Sequence, residues 1–358
     1  MSKLKIRPGV LTGAALQEVL DYCRDTGCAL PAVNVIGSHS TNAALEAARR
    51  ASAPIVVQVS NGGARFWGGK WLSNDGEQAA VAGAVACANY CKTMAEAYGV
   101  AVILHTDHAA RKLIPWVNGL ISASEEHYAA HGVPLYSSHM LDLSEESLED
   151  NLNTCAEALE RMAKIDMTLE IELGVTGGEE DGVDNSHVDN SKLYTQPSEV
   201  LAAYDKLAHI GSFTVAASFG NTHGVYKPGN VILRPEILRN SQTEIAAARG
   251  TADKPLHFVF HGGSGSSPEE IAEAVSYGVV KMNIDTDTQW AFCDPVKRYM
   301  DANDGYLHSQ IGNPEGDDQP NKKKIDPRAW LHLGEQNMAA RLEQAFRDLN
   351  AYGRFEII

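Results

Sequence analysis

The chain has 358 residues, of which 44% are hydrophobic, and its formal net charge at pH 7 is −16. This acidic balance excludes the extended basic surface that nucleic-acid binding requires, so we expect no nucleic-acid partner. No stretch approaches the ~20 apolar residues that cross a bilayer, and residues 1–10 lack the apolar core of a signal peptide. With six cysteines and no Cys-x-x-Cys pair, the chain is predicted to be cytoplasmic, with reduced thiols and no membrane partner.

Short apolar runs rich in β-forming residues alternate with helical patterns along the chain. Eight such runs have the length and composition of buried strands. The predicted strands are residues 29–35, 54–60, 100–108, 135–142, 168–174, 213–220, 256–263 and 279–286.

Helix start signals stand between these strands. Thr12 and Ser144 are predicted caps, and Ser267 with Glu270 forms a capping box ahead of a helix beginning at the proline between them. Residues 301–324 are polar and are predicted to be a long surface loop. The other predicted helices are residues 12–25, 76–98, 145–164 and a C-terminal one at 327–349.

Eight strands separated by helices indicate βα units and a parallel sheet. This number favours a closed (β/α)₈ barrel over an open doubly wound sheet. We therefore predict an α/β protein with a single domain over residues 1–358, namely a TIM barrel with extra helices and a C-terminal helical extension.

Polar residues with metal-ligand or acid–base chemistry stand at the carboxyl end of nearly every predicted strand. In a parallel barrel these ends share one face, where active sites lie. His108, His223 and His261 are the metal candidates among them, because three imidazoles and an open position form a catalytic zinc arrangement. The strand-end residues are Asn34, Ser60, Asp107, His108, Asp142, Glu172, His223, His261 and residues 283–285.

Carboxylates accompany the histidines. Asp107 precedes a metal candidate and is predicted either to exchange protons or to orient its neighbour. Glu170 and Glu172 share parity on a strand with apolar neighbours, so both are predicted to point the same way. The glycine-rich residues 174–182 carry further carboxylates, including Glu180, and are predicted either to deliver a base over the barrel mouth or to be a solvated acidic loop.

An anion site is predicted where His261 is followed by Gly-Gly-Ser-Gly-Ser and a capped helix. Glycines allow close approach, and helix N-termini expose backbone amides. The loops after strands seven and eight are the usual phosphate site of such barrels. A second phosphate would need its own cation, for which Arg328 and Lys322 are candidates, with Ser60 as a donor.

At these residues the sequence resembles the class II, metal-dependent fructose-bisphosphate aldolases, in their longer dimeric subgroup. The resemblance runs from LPAVN at residues 30–34 to the C-terminal helix. Its most specific stretches are HTDH at 105–108, TGGEEDGVD at 176–184, HGVYKPG at 223–229, HGGSG at 261–265 and NIDT at 283–286.

The resemblance implies reversible cleavage of fructose 1,6-bisphosphate to dihydroxyacetone phosphate and glyceraldehyde 3-phosphate, in glycolysis and gluconeogenesis, through a zinc-stabilised enediolate. The three histidines would hold the catalytic Zn²⁺. Asp107 would exchange a proton with the C4 hydroxyl, Glu180 would take a proton from dihydroxyacetone phosphate, and Asn283 would help to hold the enediolate. Asp142 and Glu172 resemble ligands of a second, peripheral metal position.

The resemblance also assigns the phosphate contacts. Gly224, the loop Gly262, Gly263 and Ser264, and the run Asn283, Ile284, Asp285 and Thr286 resemble the dihydroxyacetone phosphate site, with a monovalent cation, Na⁺ or K⁺, beside it. Ser60 and Arg328 resemble contacts to the other phosphate, and Asn34 is a further substrate-binding candidate at the mouth. A homodimer is implied.

Four alternatives remain open at the level of sequence. Lys281 shares parity with Asn283 and is a candidate for a Schiff-base mechanism. A zinc hydrolase on the same barrel would use metal-bound hydroxide. A non-catalytic binding barrel would not need so many acid–base groups. Tagatose 1,6-bisphosphate differs from the fructose compound only in the stereochemistry at one hydroxyl, so the sequence does not separate these two substrates.

Overall fold

A computed structural model of the chain describes residues 3–176, 193–222 and 232–358, together with the backbone of residues 179–180 and 183–184. The barrel strands are β1 (Leu30–Asn34), β2 (Ile55–Val59), β3 (Ala101–Thr106), β4 (Ser138–Leu141), β5 (Thr168–Leu173), β6 (Phe213–Ala217), β7 (Phe258–Phe260) and β8 (Val279–Asn283).

The eight strands close into a parallel barrel. Each strand pairs in parallel with the next along the chain, and β8 pairs with β1. Every residue of β2, β3 and β5 is buried, because one face of each strand fills the barrel and the other packs under helices. All eight predicted strands and the barrel are confirmed, although the ladders end before the polar residues that close most of the predicted ranges.

Helices surround the barrel and connect its strands. They are α1 (Gly13–Thr26), α2 (Ser38–Ala51), α3 (Asn61–Gly68), α4 (Gln78–Tyr98), α5 (Ile114–His131), α6 (Leu148–Met162), α7 (Pro197–Leu207), α8 (Glu236–Arg249), α9 (Pro268–Ser276), α10 (Thr286–Ala302), α11 (Asp304–Leu307), α12 (Lys322–Ile325) and α13 (Pro327–Asp348). Short 3₁₀ turns lie at Arg111–Leu113 and Ala163–Ile165. No helix among the described residues is both long and apolar enough to span a bilayer.

Short strands lie outside the barrel. Gly9–Val10 adds in parallel to β3, and Leu4–Ile6 pairs with Phe355–Ile357. Glu179–Glu180 pairs in antiparallel fashion with Val183–Asp184.

The helix caps show where local sequence was sufficient. The capping box of α9 is confirmed, with the Ser267 hydroxyl accepting from the Glu270 amide at 3.2 Å. Thr12 takes the cap position of α1, but its side chain makes no cap hydrogen bond. The predicted cap at Ser144 is wrong: α6 begins later, after Ser147, whose hydroxyl accepts from the Asp150 amide at 3.2 Å.

The prediction of a long loop at residues 301–324 is also wrong. Asn321 is buried, and its amide donates to the carbonyl oxygens of Ser309 and Gly312 at 2.9 Å each. The side-chain oxygen of Asn321 accepts from the side-chain amide of Asn313 at 2.8 Å. These bonds organise a polar stretch into a hairpin of Ile311–Asn313 and Gly316–Pro320, between α11 and α12.

Helices α3 and α4 cross closely beside the barrel. A Cβ atom at Gly83 of α4 would overlap the carbonyl oxygen of Ala64 in α3, so only glycine permits this approach. Because α3 follows β2 directly, the crossing also sets the position of Ser60, the residue that caps α3.

Candidate active site

His108 lies where the chain leaves β3. Its backbone φ is 26°, in the left-handed region that residues other than glycine rarely adopt. Its Nδ1 lies 2.9 Å from Oδ2 of Asp142 and donates to it, since an ionised carboxylate can only accept. Such a backbone persists only where its surroundings fix it, so the turn and Asp142 together hold the ring in place.

Asp142 follows β4 and is itself held. The Ser144 hydroxyl donates to its Oδ1 at 2.7 Å. Burial alone would raise the pKa of Asp142, but the hydrogen bonds from His108 and Ser144 hold it well below its usual range. The carboxylate is therefore ionised and orients the His108 ring.

Glu170 and Glu172 both point from β5 into the barrel and are buried, as their shared parity predicted. Oε2 of Glu172 lies 3.3 Å from Nδ1 of His261 and 3.5 Å from Nδ1 of His108. The Thr176 hydroxyl donates to its other oxygen at 2.8 Å. Glu172 therefore bridges the two histidines.

His261 follows β7, and its ring centroid lies 4.6 Å from that of His108. Its Nε2 lies 2.9 Å from Oε1 of Glu170. Burial would lower the pKa of His261, but the hydrogen bonds to Glu170 and Glu172 raise it to about 9. The carboxylates therefore favour positive charge at this position.

Two overlapping groups of side chains could hold a metal ion. One ligand atom from each of Asp107, His108 and His261 lies within 4.8 Å of the others, and the same is true of His108, Asp142 and Glu172. Oδ2 of Asp107 is buried and has no hydrogen-bond partner among the described residues, whereas buried polar atoms normally have one. Imidazole nitrogen and carboxylate oxygen are ligands that suit zinc and related divalent ions. The residues therefore fit a divalent metal.

Asp107 and Asn283 meet across the barrel mouth. The Asn283 amide, at the end of β8, donates to Oδ1 of Asp107 at 3.1 Å, and both side chains are buried. The structure thus brings together a buried carboxylate, an amide and two imidazoles. An array of this kind can move a proton and hold developing negative charge in one place.

The described residues of the predicted anion site lie in two neighbouring loops. Gly262, Gly263 and Ser264 follow His261, and Ile284, Asp285 and Thr286 lead from β8 into α10. The two loops touch, since the Asp287 amide lies 3.5 Å from the Ser264 hydroxyl. Ile284 is buried and its backbone amide donates to the carbonyl oxygen of Ala32 at 3.0 Å, so its role at a phosphate stays a prediction.

A cavity of about 460 Å³ opens beside these loops. Asn34, Ser60 and Asp285 line it, together with His39 and Phe292. The Ser60 hydroxyl accepts from the Gly63 amide at 3.2 Å, so the start of α3 faces this space. The structure therefore places three of the predicted substrate-binding residues around one cavity; His39 was not predicted, because nothing in its local sequence marks it.

Arg328 of this chain does not line the cavity. It lies in the first turn of α13, its side chain is 90% exposed, and it pairs with Asp326 at 2.6 Å. Lys322, at the start of α12, does not line the cavity either. The role of Arg328 at a phosphate therefore stays a prediction.

Some predicted residues cannot be placed. His223 and Gly224 lie outside the described residues, so the third histidine ligand stays a prediction. For Glu180 only the backbone is described, in the short strand Glu179–Glu180.

Lys281 points into the barrel, as its parity predicted, and its ammonium group forms an ion pair there. Its Nζ lies 2.9 Å from each carboxylate oxygen of Glu170, and both residues are buried. An ammonium held by two charge-assisted hydrogen bonds is not poised to attack a carbonyl. The geometry therefore disfavours the Schiff-base alternative.

Comparison with known proteins identifies the family of the chain. The family model "Fructose-bisphosphate aldolase class-II" matches residues 14–354. The chain is 60% identical over 346 residues to a fructose-bisphosphate aldolase of Edwardsiella ictaluri, covering 96% of this chain and 97% of the relative. It is 59% identical over 348 residues to a fructose-bisphosphate aldolase class 2 of Escherichia coli K12, covering 97% of each. The crystal structure of a fructose-bisphosphate aldolase from Campylobacter jejuni is similar with a TM-score of 0.88 and 55% identity, over 98% of each chain. The chain therefore belongs to the class II fructose-bisphosphate aldolase family.

Proposed function

We propose that this chain catalyses the reversible aldol cleavage of fructose 1,6-bisphosphate to dihydroxyacetone phosphate and glyceraldehyde 3-phosphate, a step of glycolysis and gluconeogenesis. Family membership supports the reaction, and the relatives' names support fructose over tagatose. The observation that carries the proposal is the buried carboxylate of Asp107 beside His108 and His261, with Asn283 bonded to it.

His108, His223 and His261 are the proposed ligands of a catalytic Zn²⁺, and Asp142 and Glu172 would serve a second, peripheral position. When bound, the ion supplies Lewis-acid polarisation of the substrate's carbonyl and hydroxyl oxygens. The chain's contribution is to aim the rings. Asp142 holds His108 through Nδ1, and Glu170 holds His261 through Nε2, at 2.9 Å in both cases. Partners of this kind fix the tautomer and orientation of a ligating histidine.

Asp107 is the proposed base for the C4 hydroxyl in the cleavage direction. Asn283 occupies Oδ1, which leaves Oδ2 to accept the proton. As the carbon–carbon bond breaks, negative charge develops on the fragment that becomes dihydroxyacetone phosphate. The Asn283 amide, fixed at the same place, would stabilise that charge without reorganising.

Glu180 is the proposed acid–base group for the carbon of dihydroxyacetone phosphate. It stands in the glycine-rich run 174–182, which follows β5 at the carboxyl end of the barrel. A loop at this end is suited to bring a carboxylate over bound substrate.

The two phosphates would bind to two different sets of residues at the mouth. Gly224, the run Gly262 to Ser264 and the run Asn283 to Thr286 would bind the phosphate of dihydroxyacetone phosphate, with Na⁺ or K⁺ beside it. The other phosphate would lie at Ser60, in the 460 Å³ cavity, with Arg328 as its cation. Glycines and helix N-termini suit the first of these sites.

We further propose a cytoplasmic homodimer. Trp71 is 99% exposed, Trp290 63% and Phe66 53%, and large exposed aromatic side chains often mark protein interfaces. Sedimentation velocity would measure the mass directly, and a species of one chain's mass at micromolar concentration would contradict the dimer.

A coupled cleavage assay on fructose and tagatose 1,6-bisphosphates, with and without a chelator, tests the function. We expect cleavage of the fructose compound, loss of activity after exhaustive chelation, and recovery on adding Zn²⁺ or Co²⁺. Full activity in metal-free protein would contradict the mechanism and return Lys281 to consideration. Release of inorganic phosphate without triose phosphates would favour the hydrolase.

A further inference from the structure

A polar cluster fills the barrel beneath the proposed metal site. Side chains from three strands and one strand end meet at Glu170 of β5. Lys281 of β8 reaches both of its oxygens at 2.9 Å, and His261 reaches Oε1 at 2.9 Å. Nε2 of His105, on β3, lies 3.5 Å from Oε2 of Glu170. All four residues are buried.

Burying the charged pair of Lys281 and Glu170 costs free energy. Taking an ammonium and a carboxylate out of water costs several kcal/mol per ion, which only good geometry and further hydrogen bonds offset. Apolar residues of similar volume would fill a barrel interior without that cost. The charged pair of Lys281 and Glu170 therefore has to be explained by what it does to its neighbours.

The geometry around Glu170 decides which nitrogen His261 offers. The two bonds from Lys281 fix the carboxylate plane, so Oε1 is held in place for Nε2 of His261. With Nε2 donating there, Nδ1 points away from Glu170. Nδ1 lies on the side of the proposed metal site, 3.3 Å from Oε2 of Glu172.

We infer that Lys281 is a positioning residue that acts through Glu170 on His261, so that the Nδ1 atom of His261 is presented to the divalent metal. Lys281 itself touches neither substrate nor metal. The inference rests on the proposed metal site, and it gives a role to an amine that a Schiff-base mechanism would have used as its nucleophile.

The test measures metal binding rather than catalysis. Lys281→Met keeps an unbranched side chain, one atom shorter than lysine, and removes the charge. We expect its dissociation constant for Zn²⁺, from competition with a chromophoric chelator, to be on the order of 10–100-fold weaker than in the unaltered protein, as is typical when support of a metal ligand is lost. The visible absorption spectrum of the Co²⁺-loaded variant should also change, because it reports the geometry of the ligands.

Two further variants separate positioning from general damage to the barrel. Thr214 lies on β6, is buried, and is the register partner of Glu170 on β5. Thr214→Val keeps the shape of this side chain, and it should leave the Zn²⁺ dissociation constant within a few fold of that of the unaltered protein. Lys281→Arg retains the charge and the donors, and it should recover much of the affinity.

If Lys281→Met does not fold, the double variant Lys281→Met with Glu170→Gln carries the test, because it buries no unpaired charge. Its affinity loss should match that of Glu170→Gln alone, since both changes act through one path. Unaltered Zn²⁺ affinity and an unaltered Co²⁺ spectrum in Lys281→Met, or losses that simply add in the double variant, would overturn the inference. Failure of the parent protein to bind Zn²⁺ would instead refute the proposed function.

Discussion

A buried histidine should limit the stability of this fold in acid. His139 of β4 is fully buried, and its Nδ1 lies 2.8 Å from the Thr106 hydroxyl. Burial, and next the charge of His105, lower the pKa of His139 to about 3. The folded state therefore keeps this ring neutral at pH values where the unfolded chain protonates it. The free energy of unfolding should fall as the pH drops below about 6.5, the ordinary histidine pKa.

The size of the effect follows from the difference between the two pKa values. One proton costs about 1.4 kcal/mol of stability per pH unit between them. At pH 5 the loss from His139 should be about 2 kcal/mol, and near pH 3 it should approach about 5 kcal/mol. No contribution is expected above pH 7, where the ring is neutral in both states.

Urea unfolding of the parent protein and of His139→Asn at pH 7, 6 and 5 measures the effect. Asparagine can keep the bond to Thr106 but does not titrate, so the variant should lose less stability between pH 7 and pH 5, by about 2 kcal/mol. Both proteins must be compared at one concentration, because assembly also shifts apparent stability. Parallel pH profiles for the two proteins would refute the reasoning.

Three further predictions concern the site and its supports. Asp107→Ala should lower the cleavage rate on the order of 10²–10⁴-fold, the usual effect of losing a general base, with metal content by elemental analysis unchanged. Loss of metal, with activity restored by added Zn²⁺, would make Asp107 an orienting residue instead. Glu180→Gln should slow exchange of the C3 proton of dihydroxyacetone phosphate by a similar factor in NMR measurements, and Glu179→Gln, the control, should not; equal rates in both variants would remove the role of Glu180. Ser147→Ala should cost about 1 kcal/mol of unfolding free energy through the lost helix cap, whereas Ser144→Ala should mainly weaken Zn²⁺ binding, and the reverse pattern would contradict the assigned hydrogen bonds.

The barrel was predictable because each strand is buried on both faces and therefore appears in the sequence as a short apolar run. The predicted ranges extended too far at their carboxyl ends because the local sequence does not mark where the strands end. Asp107 and His108 follow β3 without a turn signal, and the change to a φ of 26° at His108 is imposed by tertiary contacts with Asp142.

Ser144 and Ser147 show the limit of local patterns. Both serines precede acidic residues, and only Ser144 was predicted to be a helix cap. The Ser144 hydroxyl instead donates to Asp142, the carboxylate that accepts a hydrogen bond from His108. The local sequence alone does not distinguish such a residue from a helix cap, because its hydrogen-bond partner is known only from the folded structure.

Long-range pairing was the part of the site that the sequence could not supply. The parity of Glu170 and that of Lys281 were each readable from their strands. Their contact joins residues 111 positions apart, however, and exists only because the barrel closes. The same limit applies to the cavity at Ser60, which is built from separate βα units.

The crossing of α3 and α4 extends the sequence requirements of the active site well beyond its contacts. Gly83 touches no predicted ligand, yet any side chain there would push α3 away and carry Ser60 with it. A saturation library selected for the enzyme's cleavage activity would therefore retain glycine at position 83 as strictly as a catalytic residue. Maps of mutational intolerance for this protein should consequently include a site-determining position that no inspection of the substrate's surroundings would select.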